Sequence, residues 1–334
     1  LQPGIVFIRL RLLGDIVFTI PAMNLARRRF PDAPFAYIVE ERFQGLHFLL
    51  PMVDHWITVP RKAGLSDLIR FRHRIRSLSA STLIDFHSGP KSALLSKISG
   101  IKQRIGYRTT NRNWGYSTHV PRYSGSAPCH SVLNQIRLLD SLGIVADAGR
   151  GFPSITPPVW ALRQLEDRFP GSDSSSSVII HVGAGNRFRD WGEDRFIGLI
   201  TRLVKRGLTP VLVGDSVTER SRSERLANEK GVIDLTGKLC LPELFVLISR
   251  AAVYFGADSG PLHLASVTGV PIVALYGANL PEISGPWRES AVTILQKPLS
   301  CRPCSQRTCI YDTIRCLREI SVDEVYEAIV QYIA

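Results

Sequence analysis

Nowhere in its 334 residues does this chain carry an apolar run fit to span a bilayer. The longest stretch without charge, Ser259 to Pro281, is broken by Gly260, Pro261, His263, Gly269, Pro271 and Gly277, which make poor material for a membrane helix. Near the start, Arg9, Arg11 and Asp15 interrupt the apolar core that a secretory signal requires, so the expectation is a cytoplasmic chain. Also missing are a Gly-x-Gly-x-x-Gly after the first strand, a Walker phosphate loop and a Gly-x-Ser-x-Gly elbow. Dinucleotide binding, phosphoryl transfer and serine hydrolysis thereby lose their usual signatures. No repeat of solenoid period is present. Hydrophobic residues at 45% and charged residues at 21% are ordinary globular values and exclude wholesale disorder, collagen and coiled coil.

Acidic residues are scarce in one half only. Residues 1–150 hold 21 Lys and Arg against 9 Asp and Glu, a net +12, whereas the remainder holds 20 of each and is neutral. Runs such as Arg27 to Arg29, Arg70 to Arg76 and Lys102 to Arg112 give the first half a positive field suited to an acidic partner. Nucleic acid is a poor candidate, because no binding motif is present and the basic runs lack interleaved aromatic platforms.

What is present is alternation. Short β-rich runs at Ile5–Ile8, Phe35–Val39, His55–Val59, Thr82–Phe86 and Gln103–Ile105 are separated by helical patterns, and Asp15 stands where a capping residue would open the first of these. A second series follows at Val178–Val182, Pro210–Val213, Val232–Leu235, Val253–Phe255 and Pro271–Leu275, with an amphipathic helix expected over Asp194–Arg206 and a last helix over Val322–Ile333. This is the pattern of βαβ units and parallel sheets. Gly151, Pro153, Pro157 and Pro158 place a boundary near 150–160. The expected organisation is an N-terminal Rossmann-like domain over 1–155, a second over 156–320 and a closing helix over 321–334. Two such domains facing each other would form a central cleft at the carboxyl ends of their sheets.

Two turns carry possible chemistry. In Gly256 to Ala265, a strand end is followed by Asp258, Ser259, Gly260 and Pro261, with Pro261 expected at the first helical position. The N–H groups of Gly260, Leu262 and His263 would then be free to bind phosphate, although a plain strand-to-helix turn reads the same way. In His181 to Trp191, the small residues Gly183, Ala184 and Gly185 follow a strand and precede Arg187 and Arg189, whose guanidinium suits bidentate phosphate contacts. His181 is expected to be a packed strand-end residue.

Together with Arg11-Leu12-Leu13-Gly14-Asp15-Ile16, Leu275-Tyr276-Gly277 and Gly285-Pro286-Trp287, these motifs resemble those of glycosyltransferase family nine, the ADP-heptose-dependent heptosyltransferases of lipopolysaccharide core synthesis. The resemblance spans nearly the whole chain. It implies an α/β protein of GT-B type and inverting transfer of a heptose without a catalytic metal. Asp15 would be the general base. Arg189, a position where relatives commonly carry lysine, would contact the donor phosphates with Asn186, while Asp258 would meet heptose hydroxyls. Ser259, Gly260, Leu262 and His263 would surround the diphosphate, and Glu219 with Thr236-Gly237-Lys238 would lie near adenine. The basic half would face an acidic glycolipid acceptor, with Arg11, Arg61, Lys62 and Arg108 as contacts, and would touch an anionic membrane surface peripherally. Another acceptor, such as an O-antigen sugar or a protein hydroxyl, or a non-catalytic binding protein of the same fold, stays open.

Cys129 and Cys240 are isolated and expected as buried thiols. Cys301, Cys304, Cys309 and Cys316 form C-x₂-C-x₄-C-x₆-C, close enough in sequence to share one structural zinc or iron. Free thiols and disulfides are the alternatives.

Overall fold

The computed structural model describes residues 3–123, 127–145, 149, 151–172, 174–183, 186–228, 230–311 and 313–333. Six parallel strands build the sheet of the first unit, Leu1–Phe152: β1 (Gly4–Ile8), β2 (Phe35–Glu40), β3 (His55–Val59), β4 (Ala80–Asp85), β5 (Gln103–Tyr107) and β6 (Thr118–Val120). β1 and β2 are buried at every position, which is why they read as continuous apolar runs rather than alternating ones. Helices Leu65–Arg76 and Pro90–Ser99 pack Phe71, Ile75 and Leu95 onto Val6, Ile8, Ile38, Ile57 and Leu83. Each such side chain contributes about 1.5–3 kcal/mol by leaving water. Gly100 ends the second of these helices at φ +75°, a left-handed conformation in which any side chain would be strained.

The second unit, Pro153–Ala334, repeats the plan with β7 (Ser177–His181), β8 (Thr209–Val213), β9 (Ile233–Asp234), β10 (Val253–Ala257), β11 (Ile272–Tyr276) and β12 (Val292–Gln296). Helix Glu193–Lys205 buries Phe196, Leu199, Ile200 and Leu203, with acidic residues in its first turn and basic ones in its last, matching its dipole. Helix Val322–Val330 starts in a reciprocal cap, where Ser321 Oγ accepts the Glu324 N–H at 3.2 Å and Glu324 accepts the Ser321 N–H at 2.8 Å. Trp191 sits in the core, edge-on to Phe196 and Phe255 at 5.3 and 5.4 Å, with its indole N–H donated to the Ile320 carbonyl at 2.9 Å.

The sheets run β3-β2-β1-β4-β5-β6 and β12-β11-β10-β7-β8-β9. Counted from the first strand of each unit, the order is the same. Strand order reverses between β1 and β4 in one sheet and between β7 and β10 in the other, and open α/β sheets bind ligands beyond the carboxyl ends at such a reversal. β6 and β12 were not expected from sequence: one is three residues long, the other a half-buried edge strand. Among the described residues, no helix is long and apolar enough to cross a membrane.

Candidate functional site

At the carboxyl edge of the first sheet, Arg9 follows β1 and is buried. Its Nε donates to the Arg11 carbonyl at 3.0 Å and its Nη1 to the Phe86 carbonyl at 2.6 Å, which clamps together the segments leaving β1 and β4. Nη2 pairs with Asp15 Oδ2. Asp15 lies within the short helix Leu13–Val17, and Oδ2 also accepts the Leu12 N–H at 3.3 Å. Leu12, rather than Asp15, therefore holds the cap position; Asp15 is the third helical residue and reaches back. Its side chain is 34% exposed, and Oδ1 has no partner among the described residues. That oxygen is available to an incoming proton donor.

His87 follows β4. Burial, then the charges of Arg9 and Arg11, push its pKa down to about 4, so the ring is neutral at pH 7. Arg11, Arg61, Lys62 and Arg108 follow β1, β3 and β5 and are all exposed. Lys91 donates from Nζ to the Pro60 carbonyl and fixes the loop carrying Arg61 and Lys62. The basic candidates therefore share one sheet edge with Asp15. Arg9 and His87 are the members sequence reasoning missed; their only signal was position, one or two residues past a buried strand.

The second sheet gathers its candidates in the same way. Ala184 and Gly185 lie outside the described residues. Asn186 Oδ1 accepts the Phe188 N–H at 3.0 Å and caps a single turn, Arg187–Arg189. Arg189 Nη1 donates to the Asp258 carbonyl at 2.7 Å and pairs with Asp258 Oδ2 at 3.2 Å. The two residues after Arg189 are occupied elsewhere: Asp190 is held by both terminal nitrogens of Arg222, each at 2.9 Å, and Trp191 is in the core. Asp258, just beyond β10, also pairs with His263 Nε2 at 3.3 Å and accepts Asn279 Nδ2 at 2.6 Å. Burial pushes its carboxyl up, but His263, Arg189 and Asn279 outweigh burial and hold it below the usual aspartate range.

His181 is buried at the end of β7, as expected, and bridges two candidates: Nδ1 lies 3.2 Å from Ser259 Oγ and Nε2 lies 3.4 Å from Glu219 Oε1. Glu219 accepts the Asp215 and Ser216 N–H groups at 2.9 and 2.8 Å. Burial opposes its charge, yet His181 and these N–H groups hold the carboxyl far below its ordinary value. Gly183 is required here, since a Cβ would lie 2.4 Å from Glu219.

Helix Gly260–Ser266 places Pro261 at its second position, one later than expected, with Ser259 as cap. His263 donates its N–H to the Ser259 carbonyl at 3.3 Å, so of the three N–H groups expected to be free only those of Gly260 and Leu262 lack a partner among the described residues. Thr236, Gly237 and Lys238 follow β9; the Gly237 N–H meets the Gly214 carbonyl at 2.8 Å and Lys238 Nζ the Asp234 carbonyl at 2.6 Å. Asn279 and Gln306 also belong to this edge and escaped sequence reasoning.

The cysteines differ from expectation. Cys240 is exposed at the cap of helix Leu241–Arg250, and Cys129 is half-buried. Cys301, Cys304, Cys309 and Cys316 are free and line one cavity of about 370 Å³ with Phe188 and Tyr311. Among the described residues, no group of three or more His, Cys, Asp or Glu side chains is arranged to hold a metal ion. Two of the thiols have surroundings of their own. Cys309 reaches the Thr313 carbonyl at 3.6 Å, while Cys316 is buried beside Gly277, where an added Cβ would lie 3.1 Å from its sulfur.

The sequence pattern of glycosyltransferase family 9 (heptosyltransferase) matches residues 68–315. Lipopolysaccharide heptosyltransferase 1 of Pseudomonas aeruginosa is 26% identical over 320 residues, covering 92% of this chain and 87% of that protein. Among solved structures, a family 9 glycosyltransferase from Veillonella parvula superposes with a TM-score of 0.84 at 20% identity, covering 99% of this chain and 97% of that one. ADP-heptose lipopolysaccharide heptosyltransferase II of Escherichia coli gives 0.80 at 18% identity, covering 98% of each chain.

Proposed function

The chain belongs to glycosyltransferase family 9, and on that premise we propose that it moves a heptose from ADP-heptose to an acidic acceptor sugar of the lipopolysaccharide inner core. The observation that carries the reading is the second sheet's edge, where Arg189 is fixed on Asp258 and the N–H groups of Gly260 and Leu262 have no partner among the described residues. Arg189 Nη2 has no partner among the described residues, so a charged nitrogen and two N–H groups are available to a diphosphate. Asp258 would accept heptose hydroxyls, and Glu219 with Thr236, Gly237 and Lys238 would flank the adenine.

Transfer is then a single displacement with inversion. The acceptor hydroxyl oxygen bonds to the anomeric carbon, its proton passes to Asp15 Oδ1, and the bond from that carbon to the diphosphate oxygen breaks with its electron pair leaving on ADP. Arg9 holds the other carboxylate oxygen and so keeps Oδ1 in place. Arg189 offsets the leaving charge, which makes a metal-independent reaction the natural reading. The exposed Arg11, Arg61, Lys62 and Arg108 would hold the acidic acceptor and meet the anionic cytoplasmic face of the membrane.

Turnover and ADP affinity, measured separately, test both halves. Asp15→Asn should lower turnover by about 10²–10⁴ and leave ADP affinity nearly unchanged. Arg189→Ala should weaken ADP binding by about 1.5–3 kcal/mol, roughly 10- to 150-fold. Asp15→Asn turnover close to wild type would remove the base; unchanged ADP affinity in Arg189→Ala would place the diphosphate elsewhere.

A further inference from the structure

We infer that Gln306 is a positioning residue of the donor site, its side-chain amide holding Arg189 and Asn186 in the orientation that receives the diphosphate; the inference rests on the donor reading above. Gln306 Oε1 accepts from Asn186 Nδ2 at 2.9 Å and from Arg189 Nε at 3.1 Å. Its Nε2 donates to Asn279 Oδ1 at 2.7 Å, and Asn279 Nδ2 in turn donates to Asp258 Oδ2 at 2.6 Å. Asp258 returns to Arg189 through the contacts already described, so Arg189, Gln306, Asn279 and Asp258 close a ring of side chains.

The amide orientations in that ring are dictated by its ends. A guanidinium only donates and a carboxylate only accepts, so Gln306 must turn its oxygen to Arg189 and Asn279 its nitrogen to Asp258. Two guanidinium nitrogens, Nε and Nη1, are thereby engaged on opposite partners, which sets the plane of the group and leaves Nη2 for a ligand oxygen.

Two features of the backbone point the same way. Gln306 has φ +56°, a left-handed conformation that glycine or asparagine would adopt more easily, yet the position carries a side chain whose amide oxygen accepts two hydrogen bonds and whose nitrogen donates one. The loop holding it is docked independently: Arg302 donates to the Gly277 and Asn279 carbonyls, and the Cys304 N–H meets the Ala278 carbonyl at 3.1 Å. Loss of the Gln306 amide therefore need not release the loop.

The test is ADP titration calorimetry on wild type, Gln306→Gly, Arg189→Ala and the double variant, with thermal midpoints alongside. Gln306→Gly removes the amide and relieves the left-handed backbone, so the midpoint should hold or rise while ADP affinity falls about three- to tenfold as the guanidinium loses its fixed orientation. In the Arg189→Ala background the same change should cost clearly less, because its main effect runs through the guanidinium and only the hold on Asn186 remains to be lost. Gln306→Asn, which tolerates the backbone but shortens the amide's reach, should show the same loss as Gln306→Gly. If Arg189→Ala weakens ADP binding while neither Gln306 variant does, or if Gln306→Gly costs as much with Arg189 absent, this inference falls and the donor reading stands. If wild type binds no ADP, or Arg189→Ala binds it as tightly as wild type, the donor reading falls and takes the inference with it.

Discussion

Acidification from pH 7 to pH 4 should weaken the first unit through one side chain, His87. Its pKa is held at about 4 against an ordinary 6.5, first by burial and then by the charges of Arg9 and Arg11. The fold thus favours the neutral ring. The unfolded chain takes up the proton near pH 6.5 and the folded chain only near pH 4, so the contribution is complete above 6.5 and is lost as pH falls through that window. A difference of about 2.5 pH units corresponds to about 3 kcal/mol as an upper figure, since the ring is partly exposed, lost at no more than about 1.4 kcal/mol per pH unit. Urea unfolding at successive pH values, on wild type and His87→Gln, reads the effect. Wild type should lose stability steadily between pH 6.5 and 4, and the variant should be flatter. Other groups titrate differently. Asp258 and Glu219 are held low, so their contributions are present above the ordinary carboxylate range and lost below it. Asp85, raised by burial, favours the fold on acidification, and the comparison with His87→Gln subtracts it. Parallel wild-type and variant profiles through the window would refute the argument.

Association with anionic vesicles should fall steeply as salt rises and the Debye length shrinks from about 30 Å to about 8 Å, with ADP binding far less affected; equal responses would strip the charge asymmetry of its role. Trp191→Ala should destabilise the second unit by about 3–5 kcal/mol in urea unfolding, and a loss below about 1 kcal/mol would show that the core closes over the gap. In native protein, Cys309 should react fastest with a thiol reagent and Cys316 slowest, because Cys316 is buried and its thiol is pushed up by that burial. One equivalent of bound zinc or iron with all four loop cysteines unreactive would overturn their description as free thiols.

Much of this architecture was legible because parallel strands covered on both faces must be apolar throughout. Ile5–Ile8, Phe35–Val39 and Val253–Phe255 announce themselves for that reason, and the residues just past them are the candidate site. β12 escaped because an edge strand is wetted on one side and keeps no continuous apolar run. The same distinction separates the site residues. Asp15, Arg189 and Asp258 stand in motifs next to strands, whereas Gln306 reaches the site from 117 residues beyond Arg189, through a contact no local pattern encodes. The cysteine spacing was legible too, but spacing limits only how near the sulfurs can come; packing of Cys316 against Gly277 decides where one of them goes.

The bond from Trp191 to the Ile320 carbonyl joins positions 129 residues apart. Next to it, Arg318 reaches Asp194 at 3.1 Å and packs so closely on Gly192 that a Cβ there would lie 2.1 Å from its Nη1. During synthesis, the first unit has its whole sheet once residue 120 has left the ribosome, and it can fold while translation continues. The Arg189 turn cannot. Its anchor is translated more than a hundred residues later, so the basic first unit can form early, whereas the turn that carries Arg189 gains its support only when residues 318–320 emerge. A ribosome stalled between those points would display a folded basic unit ahead of an Arg189 turn that still lacks its anchor.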